Sequence, residues 1–270
     1  MHPALDRLRS RLLPARRPTV AVIRLQGTIA AGARGALSDA ALAPAIEAAF
    51  RGRPAAVALQ VNSPGGSPVQ SSLIAARIRR LADEKGVPVL AFVEDVAASG
   101  GYWLASAADE IIVDPSSMLG SIGVVSAGFG FPEALRRVGV ERRVHTAGRS
   151  KALLDPFRPE RPEDVARLSR WLAQLHDTFI AHVRARRGAR LADDPDLFTG
   201  EVWIGAQAVE KGLADGIGHL APTLRARLGP RVRFRRFAPR RPFLSRFGLG
   251  VVEDALHLVE ERAAFARFGL

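Results

Sequence analysis

Apolar residues come in short unbroken runs along this chain: VAVIRL at Val20–Leu25, AVALQV at Ala56–Val61 and VPVLAFV at Val87–Val93. Runs of that length, rich in β-branched residues, read as buried strands. Between them the spacing becomes helical. Ser38 caps a helix that runs to about Phe50, and Ser67–Ala82 places Leu73, Ile78 and Leu81 at helical positions. A helix over Ala97–Ala107 opens at Ser99-Gly100-Gly101. Further on, the pattern predicts short strands at Ile111–Val113, Ile122–Val125 and Arg142–Thr146. It predicts helices at Glu133–Val138, Arg161–Arg187 and Ala206–Lys211. Buried strands alternating with helices make βαβ units, hence an α/β fold with a mainly parallel sheet. Three strands end in turns containing Gly or Ser: Gly27, Asn62–Gly66 and Glu94–Gly101. In open α/β sheets ligands bind at such carboxyl ends.

Charge changes the picture at the two ends. The net charge is +12 over 270 residues, with 39 basic against 27 acidic side chains. The first 17 residues hold five Arg and one Asp, and 225–246 holds nine Arg and no acid, so the body between is near neutral. The expected organisation is a basic N-terminal arm at 1–18, a central domain at 19–222, and an Arg/Pro-rich segment at 223–270. The arm carries an amphipathic pattern over 1–17, and the last segment ends in an amphipathic helix over Leu249–Phe268. Basic flanks suit nucleic acid, an anionic membrane surface or solubility. No aromatic-interleaved RNA motif or zinc-finger spacing accompanies them, so nucleic acid is not the expected partner. No stretch reaches the roughly 18–20 apolar residues of a membrane-spanning helix, and arginines interrupt any signal-peptide apolar region. The expectation is therefore a cytoplasmic or peripheral-membrane protein without a transmembrane segment or signal peptide. There is no cysteine, which removes disulfides, a thiolate nucleophile and Cys-type zinc sites.

The candidate chemistry narrows by subtraction. No P-loop, no complete GxGxxG, no HExxH and no SxxK occurs, and the six His show no metal-ligand spacing. No metal or cofactor is expected. Ser99 lies between a predicted strand and helix. A serine there is usually a helix cap, but two following glycines let a substrate backbone approach closely. The Gly100 N–H is then a natural oxyanion donor. Asn62-Ser63-Pro64-Gly65-Gly66 ends another parallel strand and offers the Gly66 N–H as a second one. Only three of the 39 basic residues are lysine: Lys85, Lys151 and Lys211. Lys85 and Lys211 sit before glycines at helix ends, where a cation is favoured. Lys151 has no such reason to be there. Lysine differs from arginine in being able to lose its proton.

Read together, NSPGG, ASGGYW with Ser99, Gly120-Ser121-Ile122-Gly123-Val124, GRSK with Lys151, and WxGxxAxxxGLxDxxG from Trp203 to Gly218 closely resemble the signal peptide peptidase A (protease IV) family. The match spans about residues 20–220. The resemblance implies a ClpP/crotonase-like fold and a serine–lysine endopeptidase. Its substrates would be cleaved signal peptides and other hydrophobic membrane-derived peptides. Residue by residue it implies Ser99 as nucleophile, Lys151 as general base, Ser121 as the hydroxyl that positions the lysine, and Gly66 and Gly100 as backbone oxyanion donors. His145 is left structural. A lysine base has to be uncharged near neutral pH, which a desolvated site permits and arginine does not. In this family nucleophile and base can come from neighbouring subunits. A chain with one half of the duplicated form is therefore expected to act as a homo-oligomer, in a ring, with peripheral contact to an anionic membrane. Two other classes stand beside it: a crotonase-type acyl-CoA enzyme, and a non-enzymatic scaffold whose basic arms bind membrane or nucleic acid.

Overall fold

The computed structural model describes residues 17–32, 35–148, 151–238, 259 and 261–270. The expected helix over 1–17 lies outside them, apart from Arg17, as does most of the one over 249–268.

Strands β1 (Thr19–Gln26), β2 (Ala56–Ser63) and β3 (Val89–Ala98) pair in parallel at the centre of an eight-stranded sheet. Their side chains alternate between two apolar layers. Ile23, Leu25, Val57, Leu59, Val61, Val89 and Ala91 enter the larger core. Val20, Val22, Ala58, Leu90 and Phe92 enter a smaller core on the opposite face. Burial on both faces is why these runs are continuously apolar.

Helices α1 (Asp39–Arg51), α2 (Pro68–Lys85) and α3 (Gly100–Ala105) connect the first strands. The serines predicted as caps are caps: Ser38 accepts from the Ala41 amide, and Ser67 from that of Gln70. Gly86, at φ +61°, closes α2 just after Lys85. The chain continues through β4 (Glu110–Val113), β5 (Met118–Gly120), α4 (Pro132–Arg137), α5 (Pro162–Arg187), β6 (Val202–Ile204), α6 (Gly205–Glu210), β7 (Gly216–Ile217), α7 (Leu220–Leu228) and β8 (Arg233–Phe237). The main strand order is β6-β5-β3-β2-β1-β8, with β4 pairing β3 and β7. Among the described strands only β5–β6 is antiparallel.

Several expectations change. Ala97 and Ala98 belong to β3, so α3 starts after Ser99. The strand near 122 is in fact Met118–Gly120; Ile122–Val125 lies past it and pairs with nothing among the described residues. Arg142–Thr146 has strand-like residues but no partner strand, and it forms no regular element. The sheet also continues beyond residue 222. Arg233–Phe237 adds an edge strand parallel to β1, and Leu224 of α7 fills the smaller core.

One irregularity positions the candidate site. The β2–β3 register shifts between Val61↔Val93 and Ser63↔Ala97, leaving extra residues in β3. Before the bulge β3 pairs with β4 through Leu90–Val93; after it, with β5 through Val96–Ala98. A bulge bends a strand and re-aims the residues beyond it. The first residue beyond the end of β3 is Ser99.

Candidate active site

Ser99 takes φ +51° and ψ −122°, a conformation that an L-residue with a side chain rarely adopts. Its neighbours hold it there. The Ser99 N–H donates to Gly120 O at 2.9 Å, and its C=O accepts from the Trp103 N–H at 3.0 Å. The side chain makes no capping bond. The helix-cap role that serine usually fills at such a position is thus not what Ser99 does. Instead it lines a cavity of about 520 Å³ together with Gly66, Gly100 and Ser121.

The NSPGG loop packs straight onto this turn. Gly65 stands at φ +102°, and a Cβ there would lie 2.8 Å from the Gly100 nitrogen, from Ala98 O and from Ser99 Cβ. Gly66, at φ +143°, has no room for a Cβ either, because Ile29 O occupies the place. The loop is fastened by Ile29 N–H to Gly65 O (2.9 Å), Ser67 N–H to Ile29 O (2.7 Å) and Ser63 Oγ to Gly27 O (2.6 Å). A Cβ on Gly100 would sit 3.3 Å from the Gly66 nitrogen, so the two amides are neighbours. Neither has a backbone acceptor among the described residues. Two adjacent, fixed and unused N–H groups beside a serine hydroxyl are what an oxyanion needs.

Ser121 shares the strain, at φ +49°. Its N–H donates to Glu201 O at 2.7 Å, and its C=O accepts from the Gly123 N–H at 2.9 Å. Gly120 before it, at φ +114°, lies so close to Glu201 O and the Trp203 ring that a Cβ would stand 2.6 and 3.0 Å away. The WxGxxAxxxGLxDxxG stretch is therefore scaffolding for Ser121. Its Asp215 takes both guanidinium nitrogens of the buried Arg187 (2.8 and 3.0 Å) and the Ile111 N–H (2.7 Å). Burial opposes the Asp215 charge, but the Arg187 and Ile111 hydrogen bonds hold its carboxyl below the usual carboxylate range.

Lys151 is elsewhere. It is exposed, its N–H donates to Gly148 O at 3.2 Å, and it does not line the Ser99 cavity. The other two lysines sit where expected, Lys85 at the end of α2 and Lys211 just past the end of α6, and Lys211 also pairs with Asp194. The chain thus brings Ser99, Ser121, Gly66 and Gly100 together and leaves Lys151 outside. His145 is exposed as well.

Sequence reasoning missed the apolar lining of the cavity: Trp103, Leu175, Phe179, Val124 and Val125. The Trp103 ring stacks on Phe179 at 4.9 Å and on His182 at 4.7 Å. His182 Nε2 lies 2.9 Å from Ser106 Oγ, a pair outside the cavity lining. Burial, with the Arg186 charge adding to it, pushes the His182 imidazole down to about 4. It is a neutral packing residue at physiological pH. The helical spacing of Leu175 and Phe179 on α5 is visible in the sequence, but nothing there says which face they cover.

Fold and site together define a ClpP/crotonase-like α/β protein with a serine presented on a strained turn beside two free amides. Comparison with known proteins agrees. The family model described as Peptidase family S49 matches residues 82–227. The chain belongs to that family, which includes the signal peptide peptidase A and protease IV proteins. It is 48% identical to a Brucella melitensis protein named Na(+)/H(+) antiporter NhaA, over 99% of this chain and 40% of that protein. It is 32% identical to the chloroplastic serine protease SPPA of Arabidopsis thaliana, over 62% of this chain and 24% of that one. The chain thus covers less than half the length of these relatives. Among solved structures, the 1510-N membrane-bound stomatin-specific protease in complex with a substrate peptide matches at TM-score 0.54 and 14% identity, over 88% of this chain and 99% of that one. At that identity the likeness is one of fold. No helix among the described residues is long and apolar enough to cross a membrane.

Proposed function

We propose that this chain is a serine endopeptidase in which Ser99 attacks the peptide carbonyl and Lys151 is the general base. The observation that carries this reading is the Ser99 turn: a strained serine facing a cavity, with the Gly66 and Gly100 N–H groups free beside it. In the attack, Ser99 Oγ bonds to the carbonyl carbon and the carbonyl oxygen becomes an oxyanion held by the two amides. The serine proton passes to the lysine amine and from there to the leaving amine, which departs with the C-terminal fragment. Water then hydrolyses the acyl-enzyme by the same route. Ser121, just past β5 and on the cavity wall, orients the lysine. The apolar walls at Trp103, Phe179, Leu175 and Val124 suit hydrophobic peptides, such as cleaved signal peptides.

Lys151 comes from a neighbouring subunit. Not one described residue from Gly123 to Glu163 is buried in the isolated chain. Phe129 is 82% exposed, Val138 71% and Val125 70%. Ordering a stretch of that length costs about 1–2 kcal/mol per residue, which burial must offset. A second copy supplies the missing surface and brings its lysine to Ser99. Head-to-tail contacts of this kind close into rings.

The antiporter name of the Brucella relative does not carry over, because the part matched here contains the S49 segment. A crotonase-type acyl-CoA enzyme would use the oxyanion site without needing Ser99. A serine-reactive acylating probe distinguishes the two. Labelling of the wild type, lost in Ser99→Ala, is expected; equal labelling of both would refute the peptidase reading.

A further inference from the structure

Asn62, the first residue of NSPGG, is buried, and it faces the bulge in β3. In the register from Val61↔Val93 to Ser63↔Ala97, this one residue of β2 stands opposite three of β3: Glu94, Asp95 and Val96. A side-chain bond crosses the gap, Asn62 Nδ2 donating to Asp95 Oδ2 at 2.5 Å. Ser117 Oγ donates to Glu94 O at 2.5 Å, which fixes where the bulge begins. The Asn62 C=O accepts from the Gly27 N–H at 3.0 Å, so its backbone is tied to β1 as well. The other end of the Asn62 amide is unsatisfied: Oδ1 is buried and has no hydrogen-bond partner among the described residues. An unpaired buried polar atom lowers stability, and an apolar side chain of the same shape avoids that cost. What the asparagine supplies in return is the bond to Asp95. Asn62 lies four residues before Gly66, and Asp95 four residues before Ser99. Neither lines the Ser99 cavity. Their bond therefore joins the oxyanion loop and the nucleophile turn at a common base.

We infer that Asn62 and Asp95 are a positioning pair, a clasp across the bulge that sets the Ser99 hydroxyl against the Gly66 and Gly100 amides. Neither residue touches the reacting atoms. The bulge is where β3 leaves β4 and meets β5, and such irregularities re-aim the residues beyond them. With the clasp open, the extra residues of β3 are free to shift, and Ser99 shifts with them relative to the NSPGG loop. A nucleophile misplaced by about 1 Å loses about a hundredfold in rate. A bond that adds little to stability thus has a large effect on kcat. The effect on rate rests on the peptidase reading; the clasp itself does not.

Three variants of the full chain test the pair. Asn62→Leu removes the clasp together with the unpaired oxygen. Asp95→Ala removes the acceptor at an exposed position, and decides the matter should the leucine variant not fold. Asp95→Asn removes the charge but keeps an acceptor for Asn62 Nδ2. In the first two, kcat for a short hydrophobic peptide and the rate of Ser99 labelling by an acylating probe fall about tenfold or more, with KM within about twofold of the wild type. Asp95→Asn stays within about threefold of the wild type, because a neutral acceptor weakens the bond without breaking it. The thermal midpoint of Asn62→Leu stays at or above that of the wild type, which a bond of purely structural value would not allow. Hydrogen exchange read by mass spectrometry follows the two turns directly. The Ser67 and Ser99 amides, bonded to Ile29 O and Gly120 O, exchange about tenfold faster in Asp95→Ala and at close to the wild-type rate in Asp95→Asn. If the wild type neither cleaves nor is labelled, the peptidase reading fails, and the exchange rates still decide the clasp. Wild-type kcat in folded Asp95→Ala overturns the inference, as does unchanged exchange at both amides. So does an Asp95→Asn variant as slow as Asp95→Ala, which would assign the effect to the charge.

Discussion

Ser99, Ser121 and Gly66 stand on backbone that few residues tolerate, and all three line one cavity. Strain of this kind costs on the order of 1–3 kcal/mol per residue and persists only where surrounding contacts enforce it. Here the Gly120, Glu201 and Ile29 backbone groups do so. Ser99 stands out in the sequence through Ser-Gly-Gly after a buried strand and through the ASGGYW motif, although position alone favours a helix cap there. Lys151 stands out in the sequence through the rarity of lysine and through the GRSK motif. Its position relative to Ser99 was not legible, because the exposed stretch that carries it lies outside the Ser99 cavity and no regular element fixes it. Ser99→Ala and Lys151→Ala should each lower kcat by about 10³-fold or more while leaving the thermal unfolding midpoint within a few degrees of the wild type. Lys151→Arg should be as inactive as Lys151→Ala, since arginine keeps the charge but gives up no proton. A peptide-hydrolysis assay on the three variants checks this; an active Arg variant would remove Lys151 as base.

Among the elements, the central strands and capped helices came directly from their apolar runs and serine caps. The misplaced ones share a cause. Ile122–Val125 and Arg142–Thr146 carry strand-forming residues, but a strand needs a partner, and neither has one among the described residues. β8 was hidden for the opposite reason. RFRRF reads as a basic linker, yet at a sheet edge its arginines can point outward while Phe237 packs on the core. The elements that hold the site are tied by buried polar contacts, and these set two predictions. Arg187 has a side chain only 1% exposed against Asp215. Asp215→Asn should leave that guanidinium uncompensated and cost about 3–5 kcal/mol by denaturant titration. His182, held down to about 4 in the fold, titrates near 6.5 when unfolded. Unfolded chains then bind a proton that the native state refuses, so stability falls as pH drops from about 6.5 to 4. The effect is about 2–3 kcal/mol by the same linkage, allowing for the partial exposure of the ring. His182→Phe should flatten that part of the pH–stability curve; an unchanged slope would show that the imidazole is not desolvated.

Over the whole molecule, a neutral body carries a basic edge. Arg233, Arg235 and Arg236 are exposed on β8, and the Arg-rich 239–246 comes after them in sequence. We propose that this edge rests on an anionic bilayer, near its hydrophobic substrates. Each arginine near such a surface contributes about 1 kcal/mol. Neutralising Arg231, Arg233, Arg235 and Arg236 should therefore release the protein from phosphatidylserine-containing vesicles in a sedimentation assay, with turnover of soluble peptides retained. Equal binding would refute the membrane contact. The larger claim is that one chain presents a serine site without its base and a long unburied arm that carries one. Co-refolding inactive Ser99→Ala with inactive Lys151→Ala subunits tests it directly. Mixed assemblies contain interfaces joining an intact Ser99 to an intact Lys151, so peptidase activity should appear on mixing and peak near equal ratios. Mixed assemblies that form, by size-exclusion chromatography, yet stay inactive at every ratio would contradict a dyad shared between subunits.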